Sequence, residues 1–203
     1  DGAEFHGGGR LLGEVDLAHV PSRFGAGVFL PQCRTEGFLI ERLGELGVTV
    51  ERGVELSSFE DRGDRIMAVL RTAGDGEETV SAPWLIGCDG AHSDVRHRLG
   101  LAFEGGDEPT RFVLGDVHVE GAPPRDRLAV HLHSGGLLGF FPLPDGRFRV
   151  LGDTDSSGTD DEPSLEELQA LVDERMDGDA RLSDPHWLGS FRVREREIGR
   201  AHV

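Results

Sequence analysis

Apolar and polar residues follow two rhythms along this chain. From about residue 36 to 46, Phe38, Leu39, Leu43 and Leu46 share one helical stripe, and Gly47 offers a C′ terminator. Glu36 is expected in the first turn of that helix, where it complements the dipole. A second stripe, Leu165, Leu168, Leu171 and Val172, follows Ser164 and runs through Met176, with Glu167 completing a capping box. Elsewhere the period is two. Residues 1–20 read as a hairpin turning at Gly7-Gly8-Gly9, with Leu11, Leu12 and Val15 on the return strand. Residues 48–50, 54–59, 65–71 and 78–82 read as short strands, the last three forming an antiparallel meander with turns at 61–64 and 74–76.

The run Trp84-Leu85-Ile86 predicts a strand buried on both faces of a parallel sheet. Asp89-Gly90 then makes a tight turn, Ser93 offers an N-cap hydroxyl and Asp94 suits the first turn of a helix. A carboxylate at the C-terminal end of such a strand stands where open α/β sheets bind ligands. After residue 103 helices nearly vanish. Phe112 to Val119 forms one strand, Leu128, Val130 and Leu132 alternate in another, and 139–143 pairs with 148–151 about Pro144-Asp145-Gly146. Residues 182–193 read as irregular chain ending in a strand. The fold class is therefore α/β (α+β), with a boundary near residue 103.

Composition narrows the function. The 203 residues carry a net charge of −17, and all 21 cationic side chains are Arg. That balance argues against nucleic acid, which needs a basic face. No window approaches the roughly 20 apolar residues of a membrane span, and no signal peptide opens the sequence. A cytoplasmic protein is the expectation. Cys33 and Cys88 form no CxxC and are expected as free, buried thiols.

Several local patterns carry less than they suggest. No helix pattern follows Gly7-Gly8-Gly9, and Gly135-Gly136 with Gly139 opens no helix either, so neither is a phosphate loop. His131-x-His133 and Asp116-x-His118 could form a two-His, one-carboxylate metal site only if their strands converge, and we assign no metal. The acidic stretch 153–163 does not fit the EF-hand spacing and reads as a solvated loop. No G-x-S-x-G elbow occurs.

Gly87-Cys88-Asp89-Gly90-Ala91-His92-Ser93-Asp94-Val95-Arg96 resembles the internal G-C/A-D-G-x-x-S-x-V-R motif of FAD-dependent aromatic-ring monooxygenases of the para-hydroxybenzoate hydroxylase type. Earlier in the chain, in the order that family requires, Leu30-Pro31-Gln32 with Thr35-Glu36 is similar to its L-P-Q-x-x-T-E segment. The resemblance implies a partial FAD-binding, Rossmann-like domain with a β-meander over residues 25–103. It also implies a mostly antiparallel substrate domain over 104–196, which the hairpin at 1–24 joins. It implies that Asp89 serves FAD and NAD(P)H, with Cys88 and Gly90 beside it, and that Gln32 approaches the flavin, with Arg34 a further contact. Phe140, Phe141 and Pro142 would line the substrate side or simply pack the core. The implied reaction is hydroxylation of a small aromatic substrate, phenolic or polyketide-like, using NAD(P)H and O2. An epoxidase, halogenase or reductase of the same fold, or a non-catalytic binding protein, is the alternative. No catalytic base stands out.

The family's GxGxxG for the FAD pyrophosphate and its later Gly-Asp motif do not occur in these residues, so this chain alone is expected to bind FAD poorly. Residues 197–203 can be read as translated adapter DNA. With no initial Met and no first βαβ unit, they lead us to expect a truncated reading frame with a non-native tail.

Overall fold

The computed structural model describes residues 2–21, 23–24, 27–74, 76–154, 162–176 and 180–197. In chain order the elements are β1 (Gly2–Gly7), β2 (Arg10–Asp16), a 3-10 turn (Leu17–His19), α1 (Gln32–Glu45), β3 (Val54–Asp61), β4 (Ile66–Thr72), β5 (Gly76–Ala82) and α2 (Asp94–Arg98). They continue with β6 (Glu104–Glu120), β7 (Leu128–His133), β8 (Gly136–Pro142), β9 (Phe148–Thr154), α3 (Leu165–Arg175) and β10 (Arg181–Glu197). The chain divides into a larger unit, Asp1–Gln32 with Gly105–Arg196, and a smaller one built on Cys33–Glu104.

The larger unit is a seven-stranded sheet in the order β10-β6-β9-β8-β7-β1-β2. Its β6–β9, β9–β8, β8–β7 and β1–β2 pairings are antiparallel, whereas β1 lies parallel to β7. Alternation explains its core. Val113 and Val117, Leu138 and Phe140, and Phe148 and Val150 point to one face, where Leu168 and Val172 of α3 meet them, all fully or almost fully buried. Each such side chain contributes about 1.5–3 kcal/mol of burial. Ser164 caps α3 as expected, accepting the Glu167 N–H at 3.2 Å. The Glu167 carboxylate, however, turns to Arg111 of β6 at 2.5 Å, joining helix to sheet.

Gly136 has a structural reason in this sheet. Its φ of +128° suits glycine, and a Cβ there would collide with the Asp153 carboxylate. Asp153 instead accepts the Leu137 N–H at 2.6 Å.

In the smaller unit β3, β4 and β5 form the antiparallel meander that the alternation predicts. Helix α1 ends in a Schellman arrangement, with the Val48 N–H on the Leu43 carbonyl at 2.9 Å and the Gly47 N–H on that of Gly44 at 3.0 Å.

Five expectations need correction. Residues 84–86 and 48–50 are not strands, because among the described residues no neighbouring strand pairs with them. Trp84 and Ile86 are consequently 71% and 81% exposed rather than buried. Residues 182–193 lie wholly within β10, since β6 supplies a long partner. Helix α1 starts at Gln32, so Glu36 lies beyond its first turn. Both thiols are free but exposed: Cys33 lies in α1, which has no buried residue, and Cys88 on the open approach to α2. The proposed adapter tail beyond Glu197 and most of the 153–163 loop lie outside the described residues.

Candidate functional site

The turn at Asp89-Gly90 is built by local chemistry. Gly90 takes φ +79°, which allows the chain to reverse, and nothing lies within 4 Å of the position a Cβ would occupy there. The reversal carries the Asp89 carboxylate back over the start of α2. It accepts the Ser93 hydroxyl proton and, at 3.1 Å, the Val95 N–H. Ser93 in turn accepts the Arg96 N–H at 3.1 Å, so the N-cap expected from sequence is present. These donors, the Ser93 hydroxyl first and the Val95 amide second, hold the Asp89 carboxyl below its ordinary value of 3.8. The group is therefore an anion with open lone pairs across the working pH range.

Two arginines of α2 brace this region: Arg96, the last letter of the motif, and Arg98, which no sequence pattern marks. The buried Arg96 donates to the Ala91 carbonyl at 3.1 Å and stacks over the Phe103 ring at 4.4 Å. Arg98 donates to the Ser57 carbonyl at 2.8 Å, tying α2 to β3. Gly87 lets the incoming segment and α2 approach closely: a Cβ would lie 2.9 Å from that of Val95.

The remaining sequence-derived candidates are dispersed. Cys88 is exposed beside Asp89. Gln32 is the first residue of α1, and Arg34 lies one residue beyond Cys33 on the same helix with its guanidinium 6.0 Å from the Phe38 ring centre. The structure brings Cys88, Asp89 and Gly90 together on one turn.

On the larger unit, the substrate-side trio separates. Phe140 is fully buried in the helix–sheet core, edge-on to His131 and Phe148, and presents no surface to a ligand. This corrects its assignment. Phe141 faces the other way and meets Phe29 edge-on at 5.2 Å, while Pro142 lines a cavity. The metal-site geometry also fails. Strands β6 and β7 are separated by β9 and β8, three spacings of about 4.8 Å each. Asp116 is instead held by Arg149 at 2.8 and 3.0 Å, and His131 stacks on His6 at 5.0 Å.

The residues at the turn suit the polar, hydroxyl-bearing part of a flavin nucleotide. An ionised carboxylate accepts hydroxyl protons, and the uncovered backbone at Gly90 admits a close neighbour.

A family model described as FAD binding domain matches residues 3–202. The chain is 38% identical over 189 residues to the 6-methylpretetramide 4-monooxygenase of Streptomyces rimosus, covering 91% of this chain and 33% of that protein. It is 34% identical to the dialkyldecalin synthase of Streptomyces rugosporus, covering 84% and 37% respectively. Among solved structures it resembles the anhydrotetracycline hydroxylase OxyS of Streptomyces rimosus at 25% identity and a TM-score of 0.68, covering 94% of this chain and 38% of that one. The chain thus spans little more than a third of the length of these relatives, and it belongs to the FAD-binding-domain family of FAD-dependent aromatic-ring monooxygenases.

Proposed function

We propose that this chain supplies part of an FAD-dependent monooxygenase that hydroxylates an aromatic, phenolic or polyketide-like substrate with NAD(P)H and O2. The observation that carries the proposal is the Asp89-Gly90 turn. Its carboxylate is fixed by Ser93 and Val95 in an ionised state, within a segment that matches the family motif residue for residue at its invariant letters. The smaller unit would be the cofactor side and the larger unit the substrate side.

In this reading Asp89 binds and orients the cofactor through hydroxyl groups, and Gln32 and Arg34 offer amide and guanidinium donors to it. Cys88 and Gly90 shape the same edge. When bound, FAD supplies electron transfer from NAD(P)H and activation of O2. The larger unit holds the aromatic ring and excludes water from it. A cytoplasmic setting fits the absence of any helix long and apolar enough to cross a membrane among the described residues.

The test is spectroscopic. The intact protein that carries this chain should purify yellow, with flavin absorbance, and phenolic compounds should stimulate its NAD(P)H oxidation. Asp89→Ala should lower flavin occupancy several-fold; unchanged retention would sink the assignment of that residue. A second reading is favoured by the 34% identity to a dialkyldecalin synthase, a name that denotes ring formation rather than hydroxylation. Flavin retention without substrate-stimulated NAD(P)H oxidation would select it.

A further inference from the structure

A cavity of about 290 Å³ in the larger unit collects polar groups that the proposed reaction does not use. Its walls include His6, His131 and His133 and, from the end of α3, Glu174 and Arg175, with the Gly8-Gly9 turn beside them. His131 lies opposite His6 across β1–β7 and opposite Leu138 across β7–β8. Directly opposed residues share a face of the sheet, and Leu138 is fully buried against α3. The cavity therefore opens on the helix-covered side, away from the face on which Phe141 meets Phe29.

Three of these groups converge on Gly135. Its N–H donates to His133 Nδ1 at 3.1 Å, its carbonyl accepts from Arg175 Nη2 at 2.6 Å, and a Cβ on it would lie 2.9 Å from Glu174 Oε1. With Nδ1 accepting, the neutral His133 ring carries its proton on Nε2 and offers it as a donor. The Arg175 side chain is only 3% exposed, and a guanidinium has five N–H groups. Its Nε is on Glu174, Nη1 on Leu137 and Asp153, and one Nη2 hydrogen on Gly135, so among the described residues the other Nη2 hydrogen has no acceptor. A buried donor left in that state calls for a partner. Glu174 gives Arg175 its Oε2 and keeps Oε1 as an acceptor. Around Gly135 the cavity thus offers two donors and one acceptor, and the charges of Arg175 and Glu174 cancel. Two donors can share one carbonyl oxygen, which has two lone pairs, while the carboxylate takes an N–H.

We propose that this cavity binds a small neutral molecule through a primary carboxamide, its carbonyl oxygen taken by Arg175 and His133 and its N–H by Glu174. A volume at the lower end of the roughly 300–1,000 Å³ range of small-molecule sites limits the rest of the ligand to about one ring. A carboxylate in place of the amide meets Glu174 with like charge and has no proton to give it. A ketone keeps the acceptor and lacks the donor. The inference stands independently of the monooxygenase reading, because the cavity lies across the sheet from Phe29 and Phe141 and its occupant is a second ligand.

Benzamide, benzoate and acetophenone, alike in size and differing in that one group, are titrated separately into the isotope-labelled chain while its amide shifts are followed. The titrations are run at about pH 8, where imidazole side chains in general are neutral. Benzamide should perturb the amides of Gly8, Gly9, His133 and Gly135 and leave those of Phe29 and Phe141 unmoved. It should bind at least about fivefold more tightly than either analogue, the effect of one unmade hydrogen bond. Glu174→Gln, at a half-exposed side chain, should raise affinity for benzoate and remove the preference over it. His133→Phe, also at an exposed position, should weaken benzamide and acetophenone alike by about fivefold, since both carry the carbonyl oxygen. An unchanged far-ultraviolet dichroism spectrum shows that each variant is folded. Benzoate or acetophenone binding as tightly as benzamide overturns the inference, as does a preference that survives Glu174→Gln. Absence of shifts at these four amides overturns it too, whether the compound fails to bind or binds on the face of Phe29 and Phe141.

Discussion

Arg175 offers the most exacting test of how the larger unit is held together. Its side chain is only 3% exposed, in the last turn of α3. It donates to the Gly135 carbonyl at 2.6 Å, the Leu137 carbonyl at 2.8 Å, the Asp153 carboxylate at 2.9 Å and, through Nε, Glu174 at 3.2 Å. One guanidinium therefore joins helix, the β7–β8 turn and β9. Arg175→Met keeps much of the volume but leaves Asp153 and two carbonyls without this donor. Removing one partner of a buried pair costs about 3–5 kcal/mol. The half-exposed Glu174 can recover water, and Asp153 keeps the Leu137 N–H, so the lower figure applies. With a urea slope of about 1.5 kcal/mol per M, a loss of about 3 kcal/mol moves the midpoint by about 2 M. Trp187 of β10 reports the larger unit cleanly once Trp84 is replaced by Phe, since the chain has two tryptophans. Arg175→Lys should fall between wild type and Met, because a single ammonium cannot reach all the acceptors. The combination of Arg175→Met with Asp153→Asn should cost less than the sum of the singles. A loss below about 1 kcal/mol for Arg175→Met would show that the network is decorative, against the measured range for buried pairs.

Other outcomes follow from the same packing and hydrogen bonds. Leu168→Ala, fully buried between α3 and the sheet, should cost about 2–5 kcal/mol by the same unfolding assay. Ser93→Ala should remove about 1 kcal/mol of cap stability, with Ser93→Thr retaining most of it; equal stability of both variants would contradict the cap. Because folding lowers the carboxyl pKa of Asp89, its stabilising contribution is complete above the unfolded value of 3.8 and fades as pH falls through the folded one. A carbon-detected titration should therefore place its midpoint below 3.8, and in Ser93→Ala it should move up. Cys88, exposed beside Asp89, should alkylate readily in this chain and be shielded when the intact protein holds FAD.

What the sequence reveals well is local. Ser93, Ser164, Gly47 and the Asp89-Gly90 turn all act on atoms within a few residues, and each is found where the spacing places it. Strand alternation similarly identifies the meander, whereas in β7 the alternating Leu128, Val130 and Leu132 lie on the face away from the α3 core, which Ala129 enters instead. What escapes it depends on remote partners. Arg127 reaches Glu4 across 123 positions, and Arg98 reaches Ser57 across 41. Nothing in a short window announces either contact, although Pro123-Pro124-Arg125-Asp126-Arg127 marks an unusual charged corner. Phe140 and Phe141 show the parity problem plainly. Adjacent residues on a strand face opposite sides, so one composes the core and the other meets Phe29.

The failure of residues 84–86 to form a strand bears directly on the candidate site. A strand gains little from propensity alone; it needs a neighbour to receive its N–H and C=O groups. Trp84 and Ile86 stay exposed, yet the turn that follows them is fully formed three residues later. The geometry of Asp89 therefore does not derive from a packed sheet edge. It derives from Ser93, Val95 and the Ala91–Arg96 link, all within α2 or its approach. Two consequences separate. The orientation of the carboxylate is set by the motif itself, so Ser93→Ala should disturb Asp89 even in this chain. In the proposed reading, cofactor affinity depends in addition on the surfaces around the turn, where Trp84 and Ile86 lie exposed. The motif thus fixes the orientation of one carboxylate from within its own few residues, with no packed strand beneath it.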